Sequence, residues 1–398
     1  MSRFHSYINT SVKLISTYKG EQPFAIFIKG FFANEKKYGS KDRKQISALC
    51  YDYFRLGFAM QDATLEEKLL VATFLCEQED SLLLQNLQPE WNEKIGLPME
   101  EKLALLKEQF LAADIFPFVK ALSAGVNAEA FGLSMLTQPS LFLRIRPQAK
   151  LTTLKKLDKS KLPYELLGES AVQLAPATNV EEVFIIDKEV VVQDYNSQQV
   201  LNYLHLNEET VFDDAESAQP LSSWDCCAAS GGKSILLYDS LTRKLDLTIS
   251  DIRLSIVAKL HQRFTTANIK EYKYFIADIS NDTVKPPATN YQLIICDAPC
   301  TGSGTWSRTP EQLSFFKEQA IGTFNERQKN MVSTVIPYLI EGGIFVYITC
   351  SVFKRENEVI ADFIAEKFNL TVLHQELLTG YDKKADTMFV AIFKKISA

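Results

Sequence analysis

From residue 220 onward, short apolar runs alternate with helical stretches, and this alternation constrains the fold of the 398-residue chain more than any other feature. The runs are "SSWDCC", "DLTISD", "KYFIAD", "YQLIICD", "GIFVYITC" and "MFVAIFKK", with helical stretches between the first five. Strands and helices that alternate in sequence stack as a doubly wound, mostly parallel α/β sheet with helices on both faces. Every run but the last ends in aspartate or cysteine. Open sheets of this class bind ligands outside the carboxyl ends of their strands, where the chain leaves the core and side chains point into a crevice. In "IICDAPCTGSGTW" a buried run stops at Asp297, Pro299 and Cys300, which fits either a site or a strand end with a glycine turn and a small buried cysteine.

The sequence before residue 220 reads differently. Residues 1–135 are helical throughout: "ISALCYDYF" sets Ile46, Leu49, Cys50, Tyr53 and Phe54 on one face, and Thr64 and Glu67 have capping-box spacing before "LLVATFLC". Residues 136–190 change to extended runs ("LFLRIR", "VEEVFIID", "VVVQDY") around one lysine-rich helix, which reads as a small α+β connector. The expected domains are therefore 1–135, all-α; 136–190, connector; and 191–398, a Rossmann-like α/β domain. No internal repeat or low-complexity segment interrupts them.

Charge and cysteine usage narrow the function classes. A net charge of −6 argues against a generally basic nucleic-acid binder. Arg144, Arg146, Lys150, Lys155, Lys156, Lys159 and Lys161 nevertheless stand against the single acid Asp158, either as a local basic patch or as a solvated helix and loop. The seven cysteines are odd in number and lack CxxC spacing, so neither disulfides nor a metal site is expected. The opening "MSRFHSYINTSVKLIS" is too polar for a signal peptide, and no run of about 18 apolar residues exists to span a bilayer. The expectation is a cytoplasmic protein with no membrane partner.

"WDCCAASGGKSILLYDS" is a strand, a Gly-Gly turn and a helix, which lets backbone amides approach a ligand at a helix start. Gly232, Lys233 and Ser234 fit the end of a P-loop, but its first glycine position is Cys227, and a GxGxxG fingerprint is absent. Asp251 and Asp278 end the next two strands, where carboxylates can hold a ribose or an adenine amine. Glycine loop, acid, acid and then "DAPC" is the order of an S-adenosylmethionine pocket followed by a catalytic strand.

Taken together, "DCCAASGGKS", "DAPCTGSGTWSRTP" and "YITCSVFKRENEV" resemble, in order and distance, the motifs of the RsmB/NOP (Sun) family of RNA cytosine-carbon-5 methyltransferases. "LFLRIRPQAK", "VVVQDYNSQ" and "ADTMFVAIFKK" extend the resemblance, and "GSKDRKQISALCYDYFRLG" is similar to the NusB-like RNA-binding domain of the ribosomal-RNA branch. The resemblance implies an S-adenosylmethionine-dependent monomer acting on RNA, 16S ribosomal RNA first and tRNA as the alternative. Carbon 5 of cytosine is a weak nucleophile, and a thiolate added at carbon 6 turns the ring into an enamine that accepts a methyl group.

By resemblance Cys350 is the attacking thiol, Cys300 assists product release, and Asp297 holds the cytosine edge. Lys233 reads either as a cation that favours a thiolate or as a solvated lysine at a helix start. Cofactor contacts fall to Cys227, Ala228, Ala229, Ser230, Gly231, Gly232, Lys233, Asp251, Asp278 and Asp297. Arg144, Arg146 and Arg308 are candidate phosphate contacts, and Cys226, Cys227 and Cys296 read as packing. DNA cytosine methyltransferases use a Pro-Cys thiol instead, which would make Cys300 the attacker. A P-loop NTPase and a non-catalytic RNA-assembly factor are the rival classes. The sequence departs from the family pattern at Ser230, where proline is usual, at Arg253 and Leu254, which follow Asp251 at a shortened spacing, and at Thr387 and Met388.

Overall fold

The computed structural model of the chain describes residues 3–204, 219–241, 244–281 and 290–396. Its contacts separate two units: Met1–Leu122, Val126–Gln138 and Thr305–Glu318 form one, and Ser123–Gly125, Pro139–Gly304 and Gln319–Ala398 form the other.

The first unit is helical. The helix Ser40–Arg55 buries Ile46, Leu49, Cys50 and Phe54, and leaves Tyr53 half-buried. The next helix, Leu65–Cys76, starts at a capping box in which the Glu67 N–H donates to Thr64 Oγ1 (3.3 Å) and the Thr64 N–H donates to Glu67 Oε2 (2.8 Å). The segment Thr305–Glu318 joins these helices although it lies within the α/β part of the sequence. Arg55 is buried and its Nη1 donates to Met135 O (2.8 Å) and Ser307 O (3.0 Å), while the Phe24 N–H donates to Glu311 Oε1 (3.2 Å). Phe315 meets Tyr18 edge-on at 5.2 Å between ring centroids, and Phe316 meets Phe118 at 5.0 Å. Arg308 is exposed on this segment.

In the second unit, β1 (Leu141–Ile145), β2 (Tyr164–Leu167), β3 (Ala171–Leu174) and β4 (Val190–Val192) pair antiparallel in the order β2-β3-β1-β4. "VEEVFIID" is not a strand. The Val183 and Phe184 N–H groups both donate to Val180 O, closing a tight turn that drops Val180 and Phe184 into the core of this sheet beside Leu157 of the helix Lys150–Ser160.

The larger sheet, among the described residues, contains β5 (Leu221–Asp225), β6 (Leu245–Asp251), β7 (Lys273–Ile276), β8 (Tyr291–Asp297), β9 (Leu339–Thr349), β10 (Leu370–Leu378) and β11 (Met388–Lys395) in the order β10-β11-β9-β8-β5-β6-β7. All neighbours from β7 to β9 are parallel, and β11 runs antiparallel between β9 and β10. The helices Gly232–Ser240, Leu254–Ala267 and Gln319–Val335 supply the expected crossovers. The helix expected between β7 and β8 falls largely on residues 282–289, outside the described residues. Because β5 has β6 on one side and β8 on the other, the strand order reverses at β5, and a crevice opens at the carboxyl ends of these strands.

Two of the arginines expected to meet phosphate are corrected by the structure. Arg144 and Arg146 are 4% and 1% exposed and converge on Asp239 of the helix Gly232–Ser240, each at 2.7 Å. Arg144 Nε also donates to Gln193 Oε1 (2.9 Å), and Arg146 Nη1 to Asp187 O (2.9 Å) and Ala267 O (2.8 Å). These side chains bind the small sheet to the helix that follows the glycine loop. Lys150 and Lys156 of the same basic stretch pair with Glu169 and Glu189, and Lys155 and Lys159 remain exposed. Truncating one member of a buried ion pair strands the other charge, at a cost of about 3–5 kcal/mol. Arg146→Ala is expected to fall at the low end, since Arg144 still faces Asp239, and urea denaturation measures the loss.

Candidate active site

The glycine loop is built by steric and hydrogen-bond demands that can be followed residue by residue. Gly231 adopts φ +86°, and a Cβ there would come within 2.7 Å of the Phe264 ring, so only glycine fits both the turn and the space. Ala229 also takes a left-handed conformation (φ 46°) and points its N–H at Asp251 Oδ2 (3.1 Å). Ser230, in place of a rigid proline, is tethered: Arg263 Nη1 donates to Ser230 O (2.9 Å) and Oγ (3.0 Å), and Arg263 Nη2 pairs with Asp187 at 2.7 Å. Beneath the loop the Ser234 hydroxyl donates to Asp225 Oδ2 at 2.6 Å, tying the helix start to the end of β5. Burial pushes the Asp225 carboxyl up to about 7; the Ser234 hydrogen bond opposes that shift and the charge of Asp297 adds to it.

A cavity of about 430 Å³ opens at the carboxyl ends of the strands. Of the expected residues, Cys227, Ala229, Asp251, Asp278, Asp297, Cys300 and Cys350 line it. Ala228, Ser230, Gly231 and Gly232 shape the turn without lining the cavity. Burial works against the charge of Asp251, but hydrogen bonds from the Arg253 side chain and N–H and from the Ala229 N–H outweigh it and hold the carboxyl below its ordinary range. The immediate succession Asp251, Ile252, Arg253 thus makes a local ion pair at the cavity wall (3.0 Å). Asp278 accepts from the Ser280 hydroxyl (2.6 Å) and N–H (3.0 Å), which lower its pKa. Arg327 and Met331, one helical turn apart on Gln319–Val335, also face the cavity. Neither stands out in the sequence, since a helix between two strands is expected to present some side chains toward the strand ends.

The two thiols meet at one end of this cavity. Cys300 Sγ and Cys350 Sγ lie 3.4 Å apart although they follow different strands, β8 and β9. The hydrogen bond to Cys350, with burial added, raises the pKa of Cys300 and keeps that thiol protonated. Lys233 does not line the cavity but reaches its edge through an ion pair with Asp297 (2.8 Å). Burial works to lower the pKa of this lysine; the charge and hydrogen bond of Asp297, with Cys350 and Asp225 contributing, outweigh it and raise the pKa.

Glu356 holds the two thiol loops in register. It is fully buried and accepts from the Thr301 N–H (2.8 Å), the Thr301 hydroxyl (2.6 Å) and the Ser351 hydroxyl, the neighbours of Cys300 and Cys350. Ser303 adds a strut: its Oγ accepts from the Val352 N–H (2.9 Å). Asn357 reaches back to Ser351 O (2.8 Å) and to the Ser123 hydroxyl (2.9 Å). Gly304 donates its N–H to Cys350 O (2.9 Å) and accepts from the Thr387 N–H (3.0 Å); a Cβ there would stand 2.0 Å from Thr387 O. Thr387 is itself used, since its hydroxyl accepts from the Gly380 N–H (3.2 Å).

Residues 216–392 match the family described as 16S rRNA methyltransferase RsmB/F. The probable ribosomal RNA small subunit methyltransferase B of Synechocystis sp. is 30% identical over 171 residues, covering 42% of this chain and 35% of that protein. The probable ribosomal RNA small subunit methyltransferase B of Bacillus subtilis is 28% identical over 202 residues, covering 50% and 42%. The chain therefore spans less than half the length of these curated relatives. The backbone is similar to that of NSun6 from Pyrococcus horikoshii, crystallised with SFG, at a TM-score of 0.57 and 13% identity over 68% of this chain and 94% of that one. At that identity the likeness is one of fold.

Asp225 gives the site a pH signature. Its folded pKa is raised, so the native state holds a proton that the unfolded chain releases, and stability is lost as pH rises from the ordinary carboxylate range through about 7. Asp225→Asn cannot ionise, so its stability relative to the parent is expected to grow over that interval and level off above it, as measured by urea denaturation at pH 5, 6, 7 and 8.

Proposed function

We propose that the chain, whose residues 216–392 match the family described as 16S rRNA methyltransferase RsmB/F, is an S-adenosylmethionine-dependent RNA methyltransferase making 5-methylcytidine, with small-subunit ribosomal RNA as its substrate class. The observation that carries this reading is the 3.4 Å approach of Cys300 and Cys350 at the cavity that Asp251 and Asp278 also line. A binding module or a P-loop NTPase has no use for two thiols at one crevice.

The residues fit S-adenosylmethionine in three respects. The crevice lies at the strand-order reversal, the negative Asp251 stands on its wall to accept hydroxyl hydrogens, and the glycine turn brings backbone close to that wall. When bound, S-adenosylmethionine supplies a methyl group on a positively charged sulfur. The protein's part is to make the cytosine carbon nucleophilic. Cys350, within electrostatic reach of the Lys233 ammonium, adds as thiolate to carbon 6 of the ring and leaves carbon 5 electron-rich. Asp297, fixed by Lys233, takes the nitrogen and amine edge of the base. Once carbon 5 carries the methyl group, loss of its proton to a base re-forms the ring double bond and expels the Cys350 thiolate. Cys300, held protonated beside it, is placed to hand that sulfur a proton. A cytosine enters such a pocket only from single-stranded or locally opened RNA.

The assignment of roles has a direct test in which purified variants are incubated with RNA and S-adenosylmethionine and separated on denaturing gels. Cys350→Ala is expected to abolish both methylation and the covalent RNA adduct, whereas Cys300→Ala makes the adduct accumulate; the reverse pattern would exchange the two roles. Bisulfite sequencing of RNA from cells with and without the gene tests the reaction and its target together. Loss of one protected cytosine in small-subunit ribosomal RNA is the expected result, loss in tRNA would move the substrate class, and an unchanged pattern in both would overturn the reading.

A further inference from the structure

Three further thiols converge beneath the cavity, and the reaction proposed above uses none of them as a reactive group. Cys226 and Cys227 follow Asp225 at the end of β5, and Cys296 is the penultimate residue of neighbouring β8. The Cys226 N–H donates to Ile295 O (2.9 Å), which fixes these strand ends side by side. The three Sγ atoms all lie within 4.8 Å of one another, and no histidine or carboxylate joins the group among the described residues. Cysteines serving only as small apolar fillers need not aim their sulfur atoms at a common point. These do.

The spacing suits a metal ion of the soft class. A thiolate binds such an ion at about 2.3 Å, so three sulfurs in a trigonal set stand about 4 Å apart. An all-thiolate donor set selects soft cations over magnesium or calcium, which require oxygen. Access is also present, because half-buried Cys227 lines the cavity and Cys226, 1% exposed, borders it as well, while Cys296 is sealed (0% exposed) beneath them. We propose that Cys226, Cys227 and Cys296 form a three-thiolate site for a soft thiophilic cation, Cu(I) in the reduced cell. Binding exchanges thiol protons for the metal ion and needs no oxidant.

The experiment uses the full-length reduced protein under anaerobic conditions, carrying Cys300→Ser and Cys350→Ser so that the reactive pair cannot bind the probe. Titration with Cd(II), followed by its thiolate charge-transfer absorption, is expected to saturate at one equivalent, and X-ray absorption is expected to count three sulfur neighbours. Cu(I) offered from a competing chelator should displace the cadmium. Adding Cys227→Ser, the half-exposed position, should weaken cadmium binding at least tenfold with an unchanged circular dichroism spectrum. Cys50→Ser and Cys76→Ser, in the helical unit, should leave it intact. The proposal is overturned if no band forms, if fewer than three sulfurs are counted, or if binding survives Cys227→Ser. It is also overturned if the three cysteines appear by mass as a disulfide with no metal taken up. None of these readouts involves RNA or methyl transfer, so failure here leaves the methyltransferase reading standing, and the converse.

Discussion

The reversal of strand order at β5 is the constraint on which everything else in the α/β unit depends. Pairing β5 with both β6 and β8 spreads the following segments of chain to opposite sides, and the gap between them cannot be filled by a crossover. Because the strands from β7 to β9 run parallel, their carboxyl ends share one rim, and Asp251, Asp297 and Cys350 come together there from strands far apart in sequence. Chemistry at this rim follows from topology before any side chain is chosen.

Topology alone leaves two loops free to drift, and the sequence supplies the restraint. The buried carboxylate of Glu356 sits between Thr301 and Ser351 and accepts from both. Burial works to raise its pKa, while the hydroxyl and amide donors resist that change. The backbone bridge from Cys350 through Gly304 to Thr387 adds a second restraint that leaves no room for a side chain at residue 304. Together they keep two sulfur atoms in contact distance while leaving both partly open to the cavity.

Much of this was legible in the sequence, and the failures have physical causes. Strand ends announce themselves when an apolar run halts at an acid, so Asp251, Asp278 and Asp297 were visible. β10 was not, because "LTVLHQELL" is an edge strand that exposes Thr371, Val372, Leu373 and Gln375, and the polar His374, Gln375 and Glu376 interrupt its apolar residues before they form a run. Arg144 and Arg146 read as surface charge because their partner, Asp239, lies far along the chain on a helix that gives no warning of it. The convergence of Cys226, Cys227 and Cys296 was hidden for a similar reason, since two of these thiols follow one strand and the third lies near the end of another brought alongside by pairing. "VEEVFIID" misled by composition: five apolar residues among acids resemble a strand, whereas Val180 and Phe184 are buried, Val183 and Ile186 pack partly against them and Ile185 is exposed.

The excursion Thr305–Glu318 leaves the "DAPC" loop, contributes to the helical unit and returns as the helix Gln319–Val335. Removing the amino-terminal helices would strip Phe316 of Phe118 and Phe315 of Tyr18, and leave the Ser307 carbonyl without Arg55. The helical unit is thus assembled from stretches that are not contiguous in sequence, and a cut made at the end of the amino-terminal helices would leave part of it behind. The stretch that meets the helices begins only a few residues after Cys300, so a change in the helical unit bears on the loop that carries this thiol.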